Sequence, residues 1–328
     1  MKNRITYSDI AKLARVSTAT VSKVLNNKPG VSQATREAVL DACHKLGYTP
    51  NWVARSLRLK KTHSIGLIVP DLMNHFFSEF SKGVQLHAQE RGYTVLLGDS
   101  FENEENEKLL VETFIKRQVD ALVIISTVPN PGYVHHVPIP LVFADRPVEG
   151  AKYLVTSDNF RGGFIGTEYL IKAGRRNLLI ISGPQRFSTN KQRVSGCKEA
   201  LLTYADKGVR FRFLEVEAVS VDTGMELGEK IAKEKHPPDA VFALSDLLAV
   251  GMLKVLRKKF SIPHDLSLLG FDNIRECEYV TPEISSIHQE KFQMGLEAVK
   301  MAIDCVESAD LSPRTKIFPI KLIVRAST

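Results

Sequence analysis

Four cysteines in 328 residues, Cys43, Cys197, Cys277 and Cys305, stand far apart with no C-x-x-C pair among them. That scarcity argues against a disulfide framework or a cysteine zinc site and predicts reduced thiols in a cytoplasmic chain. No apolar run reaches the roughly 18 residues of a membrane span. The opening MKNRITYSDI lacks the apolar stretch of a secretory signal, so neither insertion nor export is expected. Also missing are the P-loop, G-x-S-x-G, H-E-x-x-H, and a G-x-G-x-x-G that opens a helix. His135-His136 sits among Pro129, Pro131, Pro138 and Pro140 without carboxylates nearby. No catalytic residue, metal site, cofactor or enzymatic activity is therefore expected.

What the chain does have is size and unevenly placed charge. Its 328 residues, 44% hydrophobic and 25% charged, suit two or three globular domains. Residues 1–61 carry twelve Lys/Arg against three Asp/Glu, a local charge of +9, while the rest of the chain stands at −2. A basic excess gathered in the first fifth is the electrostatic footprint of a polyanion partner.

Residues 1–48 predict three short helices. Thr6 caps the first, with Ile10, Leu13 and Ala14 inward; Ser17 caps the second, from Thr18 to about Asn26, with Val21, Val24 and Leu25 on one face. Ser32 caps the third, whose stripe is Ala38, Val39, Ala42 and Leu46, and Gly47 stops it. The joint Arg15-Val16-Ser17 is so short that the first two helices must cross steeply, which makes a helix-turn-helix. Residues 49–62 follow as a hinge helix and linker: Pro50 can open a helix, but Asn51 to Leu57 is too short to be stable alone.

From Ile65 onward apolar strands alternate with amphipathic helices, the pattern of α/β architecture with doubly wound parallel sheets. The strands are Ile65–Val69, Thr94–Leu97, Ala121–Ile125, Leu141–Phe143, Leu178–Ile181, Ala240–Leu244 and Leu268–Phe271. These units are more than one sheet needs, so residues 63–328 are expected to form two lobes across a cleft. The N-lobe takes about 63–158 plus 290–328, and the C-lobe about 159–289.

The run Asp9-Ile10-Ala11, Leu13-Ala14, Val16 through Ser22 and Val24-Leu25-Asn26 resembles the lactose/galactose-repressor family of bacterial transcription regulators. Val31-Ser32, Thr35-Arg36, Leu46-Gly47-Tyr48, Pro50-Asn51 and Ala54-Arg55-Ser56-Leu57 continue the likeness. It extends over the whole chain, through Ile65–Pro70 and Gly270–Asn273 to Ile287-His288-Gln289. Arg15 departs from the pattern, standing where the family often has glycine in the turn, so a non-glycine with positive φ is expected there.

The resemblance implies a small all-α helix-turn-helix headpiece joined to a two-lobed, periplasmic-binding-protein-like sensor. It implies a homodimer on double-stranded operator DNA, governed by a small effector. Thr18, Ala19 and Lys23 take the base-facing positions of the recognition helix, with Lys23 able to donate to guanine. Ser17, Thr20, Ser22, Asn26, Ser32, Thr35 and Tyr48 suit phosphate contacts, which set register. In the hinge, Asn51 and Arg58 complete the DNA set, and Leu57 is a minor-groove wedge in a basic stretch or else packs on its own domain. No leucine heptad follows residue 320, which favours a dimer over a tetramer.

Open α/β sheets bind ligands beyond the carboxyl ends of their strands. Asp71, Asn74, Phe76, Phe77, Asp145, Arg146, Arg193, Ser245 and Asp272 follow strands in this way and, with Gln289 at the return crossover, form the expected effector set; Arg193 is placed in a loop after Ile181. Carboxylates and guanidinium forks suit a polyhydroxy ligand, and phenylalanines can stack on a sugar or nucleobase. Asp145 and Arg146 could instead pair with each other, Phe77 could be core, and Asp246 is read as a helix cap. The stretch Pro70 to Asp99 resembles the cytidine-repressor branch, so a sugar and a nucleoside both stay open as effector. A transport-type sugar-binding protein is the alternative function; the missing signal and the basic headpiece oppose it. Release of DNA by effector is preferred over co-repression.

Overall fold

The computed structural model describes residues 5–25, 28–48, 61–134, 136–308 and 312–328. Asn26, Asn51, Leu57 and Arg58, together with the hinge helix expected over the last three, lie outside the described residues. The chain separates into two compact units, Met1–Thr62 and His63–Thr328.

The first unit holds helices α1 (Tyr7–Ala14), α2 (Thr18–Leu25) and α3 (Gln33–Leu46). Each begins where a short polar side chain meets otherwise unpaired backbone N–H groups. The Thr6 N–H donates to Asp9 Oδ2 at 2.8 Å, the Thr20 N–H to Ser17 Oγ at 3.1 Å, and the Thr35 N–H to Ser32 Oγ at 3.3 Å. Arg15 ends α1 at φ 55°, in the left-handed region, and the Val16 N–H closes that turn on the Ala11 carbonyl at 3.0 Å. Gly47 does the same for α3 at φ 62°. Ile10, Ala11, Val21, Val24, Val39, Ala42 and Cys43 form the core. Two stripe positions differ from expectation. The buried face of α1 is 7, 10, 11 and 14, leaving Leu13 48% exposed; that of α3 is 39, 42, 43 and 46, which puts Cys43 inside and Ala38 outside.

The second unit is built on two six-stranded sheets. The strands are β1 (Ser64–Val69), β2 (Thr94–Asp99), β3 (Ala121–Ile124), β4 (Leu141–Ala144), β5 (Tyr153–Ser157), β6 (Asn177–Ser182), β7 (Arg210–Glu215), β8 (Ala240–Ala243), β9 (Ser267–Asp272), β10 (Ser285–Gln289), β11 (Arg314–Phe318) and β12 (Ile320–Ile323). One sheet runs β11-β5-β4-β3-β1-β2, the other β12-β10-β9-β8-β6-β7. All pairings are parallel except β12 on β10. The central strands β3, β4, β8 and β9 are buried along their whole length, as sheets covered by helices on both faces require.

Helices α4 (His75–Glu90), α5 (Glu104–Lys116), α6 (Asn159–Lys172), α7 (Ser188–Thr203), α8 (Val221–Lys233), α9 (Asp246–Leu256), the short α10 (Glu276–Tyr279) and α11 (Lys291–Glu307) cover these sheets. The backbones of α6 and α7 approach so closely that a Cβ on Gly163 would lie 1.9 Å from the Arg193 carbonyl oxygen, and one on Gly196 1.9 Å from that of Phe160. Helices α4 and α11 repeat the device with Gly83 and Gly295, at 2.2 and 2.1 Å from the carbonyl oxygens of Phe292 and Phe80.

The chain passes between lobes three times: after β5, after β10, and between β11 and β12. The last passage corrects the expected lobe boundary. Residues from Ile320 onward leave the N-lobe and join the C-lobe sheet, with Ile320 opposite Gln289 and the Leu268 N–H on the Ser327 carbonyl at 2.8 Å. A strand beside β10 satisfies backbone groups that the sheet edge would otherwise leave open. The three passages lie side by side: Phe318 stands opposite Ser157, and the Asp158 N–H donates to the Phe318 carbonyl at 3.0 Å.

Candidate functional site

On the headpiece, Thr18, Ala19 and Lys23 are exposed on α2, while Val21 and Val24 on its other side are buried. Ser17 and Ser32 cap their helices and share hydroxyl contacts with Thr20 at 2.9 Å and Thr35 at 2.8 Å. Ser22 and Tyr48 are half-buried, and the Tyr48 ring meets Tyr7 edge-on at 6.1 Å. The exposed start of α2 therefore presents a methyl, a hydroxyl and an ammonium group on a rigid support, a face shaped to lie against another surface.

The second candidate is a cleft of about 380 Å³ between the lobes. Asp71, Asn74, Phe76, Phe77, Asp145, Arg146, Arg193, Ser245 and Asp272 all line it. Gln289 does not. It is fully buried behind the cleft and donates from Nε2 to Asp272 Oδ1 at 2.7 Å, so it holds that carboxylate in place. Asn74 has a second duty as cap of α4, accepting from the Phe76 N–H at 2.9 Å. Arg193 belongs to α7 rather than a loop, because that helix begins at Ser188, five residues earlier than its side chain is needed.

Arg193 is the organising cation. Nε donates to Asn159 Oδ1 at 2.8 Å, Nη1 to the Leu244 carbonyl at 2.8 Å, and Nη2 stands 3.3 Å from Asp272 Oδ1. The guanidinium also covers the Phe271 ring at 3.8 Å. Arg146 does not pair with Asp145. It forks onto both oxygens of Glu102 at 2.7 and 2.9 Å and lies over Phe187 at 4.5 Å. Asp145 is left with a buried Oδ1 that no described residue donates to. Burial pushes its carboxyl above the ordinary range, against the pull of Arg193 and Arg146. Asp145 at φ 57° and Asp272 at φ 107° both hold left-handed backbone, a strain typical of binding sites.

Asp246 is not a cap. It begins α9 fully buried, accepting from Ser286 Oγ at 2.7 Å and the Ile274 N–H at 2.9 Å; Gly270 leaves it room, since a Cβ there would fall 2.0 Å from Oδ1. Burial, then the charge of Asp272, pushes Asp246 up to about 7; burial lifts Asp272 to about 6, with Arg193 opposing. Folded-state values above the ordinary value near 4 mean that the folded chain binds more protons than the unfolded one between about pH 4 and pH 7. Stability should fall as pH rises through that window, by up to about 1.4 kcal/mol per pH unit for each proton. Urea denaturation across the window should show this fall, and Asp246→Asn should flatten it; a flat wild-type profile contradicts the assignment.

Glu102, Phe187, Asn159 and Lys291 were not singled out from the sequence. Glu102 follows β2 by the same rule that selected Asp145 after β4. Phe187 is an aromatic residue in the loop after β6, set between polar neighbours. Lys291 is 1% exposed and donates to the carbonyls of Asp272 at 2.8 Å and Asn273 at 3.0 Å; no spacing marks a lysine for burial.

Comparisons with known proteins find families for both parts of the chain. The family described as bacterial regulatory proteins, lacI family, matches residues 6–51, and that of periplasmic binding protein-like domains matches residues 167–328. The HTH-type transcriptional repressor PurR of Escherichia coli O139:H28 is 33% identical, with 98% of this chain and 96% of that protein covered. The repressor CytR of Escherichia coli K12 is 31% identical over the same shares. Among solved structures, the transcriptional regulator CelR in complex with cellobiose superposes with a TM-score of 0.73 at 28% identity, covering 99% of this chain and all of that one. With an exposed helix start in one unit and a cleft lined by charged and aromatic side chains in the other, the chain belongs to the lacI family of bacterial regulatory proteins, DNA-binding transcription regulators rather than enzymes.

Proposed function

We propose that the chain is a cytoplasmic, dimeric repressor whose paired headpieces grip a near-palindromic operator, and whose interlobe cleft takes a carbohydrate or nucleoside effector that releases the DNA. The observation that carries this reading is the pairing of a +9 amino-terminal segment with a cleft whose lining mixes charged and aromatic side chains around Arg193. Thr18, Ala19 and Lys23 read bases; Ser17, Thr20, Ser22, Asn26, Ser32, Thr35, Tyr48, Asn51 and Arg58 hold phosphates; Leu57 enters the minor groove. CelR, solved with cellobiose, supports a sugar, and the similarity to CytR keeps a nucleoside beside it. An effector that favours one orientation of the lobes must lower operator affinity by the same factor that operator lowers effector affinity. No helix of the described residues is long and apolar enough to cross a membrane.

A mobility-shift titration of the intact chain on its own upstream DNA tests the reading. Binding should weaken steeply with salt, since each neutralised phosphate contributes a slope of about −0.9 in log K against log salt. Lys23→Ala should weaken operator binding by roughly 5–150-fold, the worth of one good base contact, and leave binding to unrelated DNA little changed. Equal loss on both DNAs would reassign Lys23 to a phosphate, and no loss on either removes it from the interface.

A further inference from the structure

Resting on the reading of the cleft as the effector site, we infer that the effector is an electrically neutral, hydroxyl-rich molecule and that its phosphorylated or carboxylated counterparts are excluded. The distribution of charge around the cleft carries this. Every guanidinium that lines it already faces a carboxylate: Arg146 on Glu102 at 2.7 Å, Arg186 on Glu217 at 3.2 Å, and Arg193 on Asp272 at 3.3 Å. Arg193 spends its remaining forks on Asn159 and the Leu244 carbonyl.

Two further carboxylates line the cleft, Asp71 and Asp145. One oxygen of Asp71 is engaged by the Met73 N–H at 2.8 Å. Asp145 is only 6% exposed, and its Oδ1 is a buried acceptor without a donor. The unmet demand of the site is therefore for donors. A hydroxyl or amino group meets it, because a carboxylate can accept several hydrogen bonds and gains most where water is excluded. A phosphate or carboxylate group brings mostly acceptors and a like charge. To be held, it would have to pull a guanidinium away from the partner it already has.

The apolar part of the lining fits the same class. Phe187 carries the guanidinium of Arg146 at 4.5 Å and that of Arg186 at 5.0 Å, and Phe76 and Phe77 meet edge-on at 5.3 Å. Aromatic edges and carboxylates in one lining suit a ring with C–H bonds on one face and hydroxyls around its edge.

Isothermal titration of the intact chain with matched pairs tests the inference. The pairs are ribose and ribose 5-phosphate, glucose and glucose 6-phosphate, glucose and gluconate, and cytidine and cytidine 5′-monophosphate, with inorganic phosphate as the bare anion. The neutral member of a pair should bind at least about 100-fold more tightly than its anion, the size of effect expected from a nearby like charge in a partly desolvated site. Asp145→Asn should narrow that preference by at least about tenfold, because it replaces a buried carboxylate that lacks a donor at Oδ1 with a neutral amide. An anion that binds as tightly as its neutral partner, or inorganic phosphate that competes with it, overturns the inference and leaves the cleft as effector site. If no member of any pair binds, the reading of the cleft as a polyhydroxy site falls, and the inference with it.

Discussion

Replacing Arg193 by alanine should lower the unfolding free energy of the sensor unit by about 3–5 kcal/mol and abolish the response of operator binding to effector. The size follows from what the side chain leaves behind. Asp272 loses its cation while buried, and Asn159 Oδ1 and the Leu244 carbonyl lose their donors in the same stroke. Removing one partner of a buried pair costs far more than the pair contributes, because an uncompensated charge remains. Arg193→Lys should recover only part of the loss, since one ammonium cannot reach three acceptors arranged for a planar fork. Urea denaturation reads the stability, and a mobility shift with and without effector reads the response. An alanine variant of wild-type stability that still answers effector would show that Arg193 neither supports nor senses the cleft.

Gly196→Val should cost about 3 kcal/mol or more, a fall in melting temperature of roughly 6–12 °C for a unit of this size. Even the first added carbon would fall 1.9 Å from the Phe160 carbonyl, which is backbone and cannot rotate aside. Helix α7 must therefore back away from α6. Arg193 lies one turn before Gly196 on the same helix, so the displacement should also draw its guanidinium off Asp272 and weaken effector binding. Gly174→Ala supplies the contrast. Nothing lies within 4 Å of a Cβ there, and its cost is confined to the strain of φ 92°. Calorimetry on the two variants separates crowding from strain, and a Gly196→Val protein that melts within a degree or two of wild type would refute the close crossing.

Most of the headpiece and the buried strands was legible in the sequence, because both signals are local. A cap such as Ser32 and a stop such as Gly47 announce themselves within one turn, and β3 and β8 are short, continuous apolar runs. What escaped includes β5 and β10, buried strands whose sequences Tyr-Leu-Val-Thr-Ser and Ser-Ser-Ile-His-Gln mix polar with apolar residues, and the exposed edges. Strand β7, Arg-Phe-Arg-Phe-Leu-Glu, is almost wholly exposed, and β11 is little better covered, so neither carries the apolar run of a buried strand. Helix α7 opens with Ser-Thr-Asn-Lys-Gln and has no wide apolar stripe, since glycine and Arg193 face its partners. Its sequence therefore reads as a loop, although Arg193 lies within the helix. The cleft residues were found by position after strands, and that rule cannot tell a side chain in the lining from one behind it. Gln289 falls behind the lining for this reason, and Asp246 reads as a cap because its partners Ser286 and Ile274, like Asp272 beside Gln289, are near only in the folded chain.

The three neighbouring passages between the lobes have a mechanical consequence. Three parallel plies joined along one line form a flexure: they bend readily about that line and resist twisting across it. The tight glycine crossings of α6 with α7 and of α4 with α11 stiffen the plates on either side. That arrangement favours rotation of one lobe against the other about the three passages over twist between them.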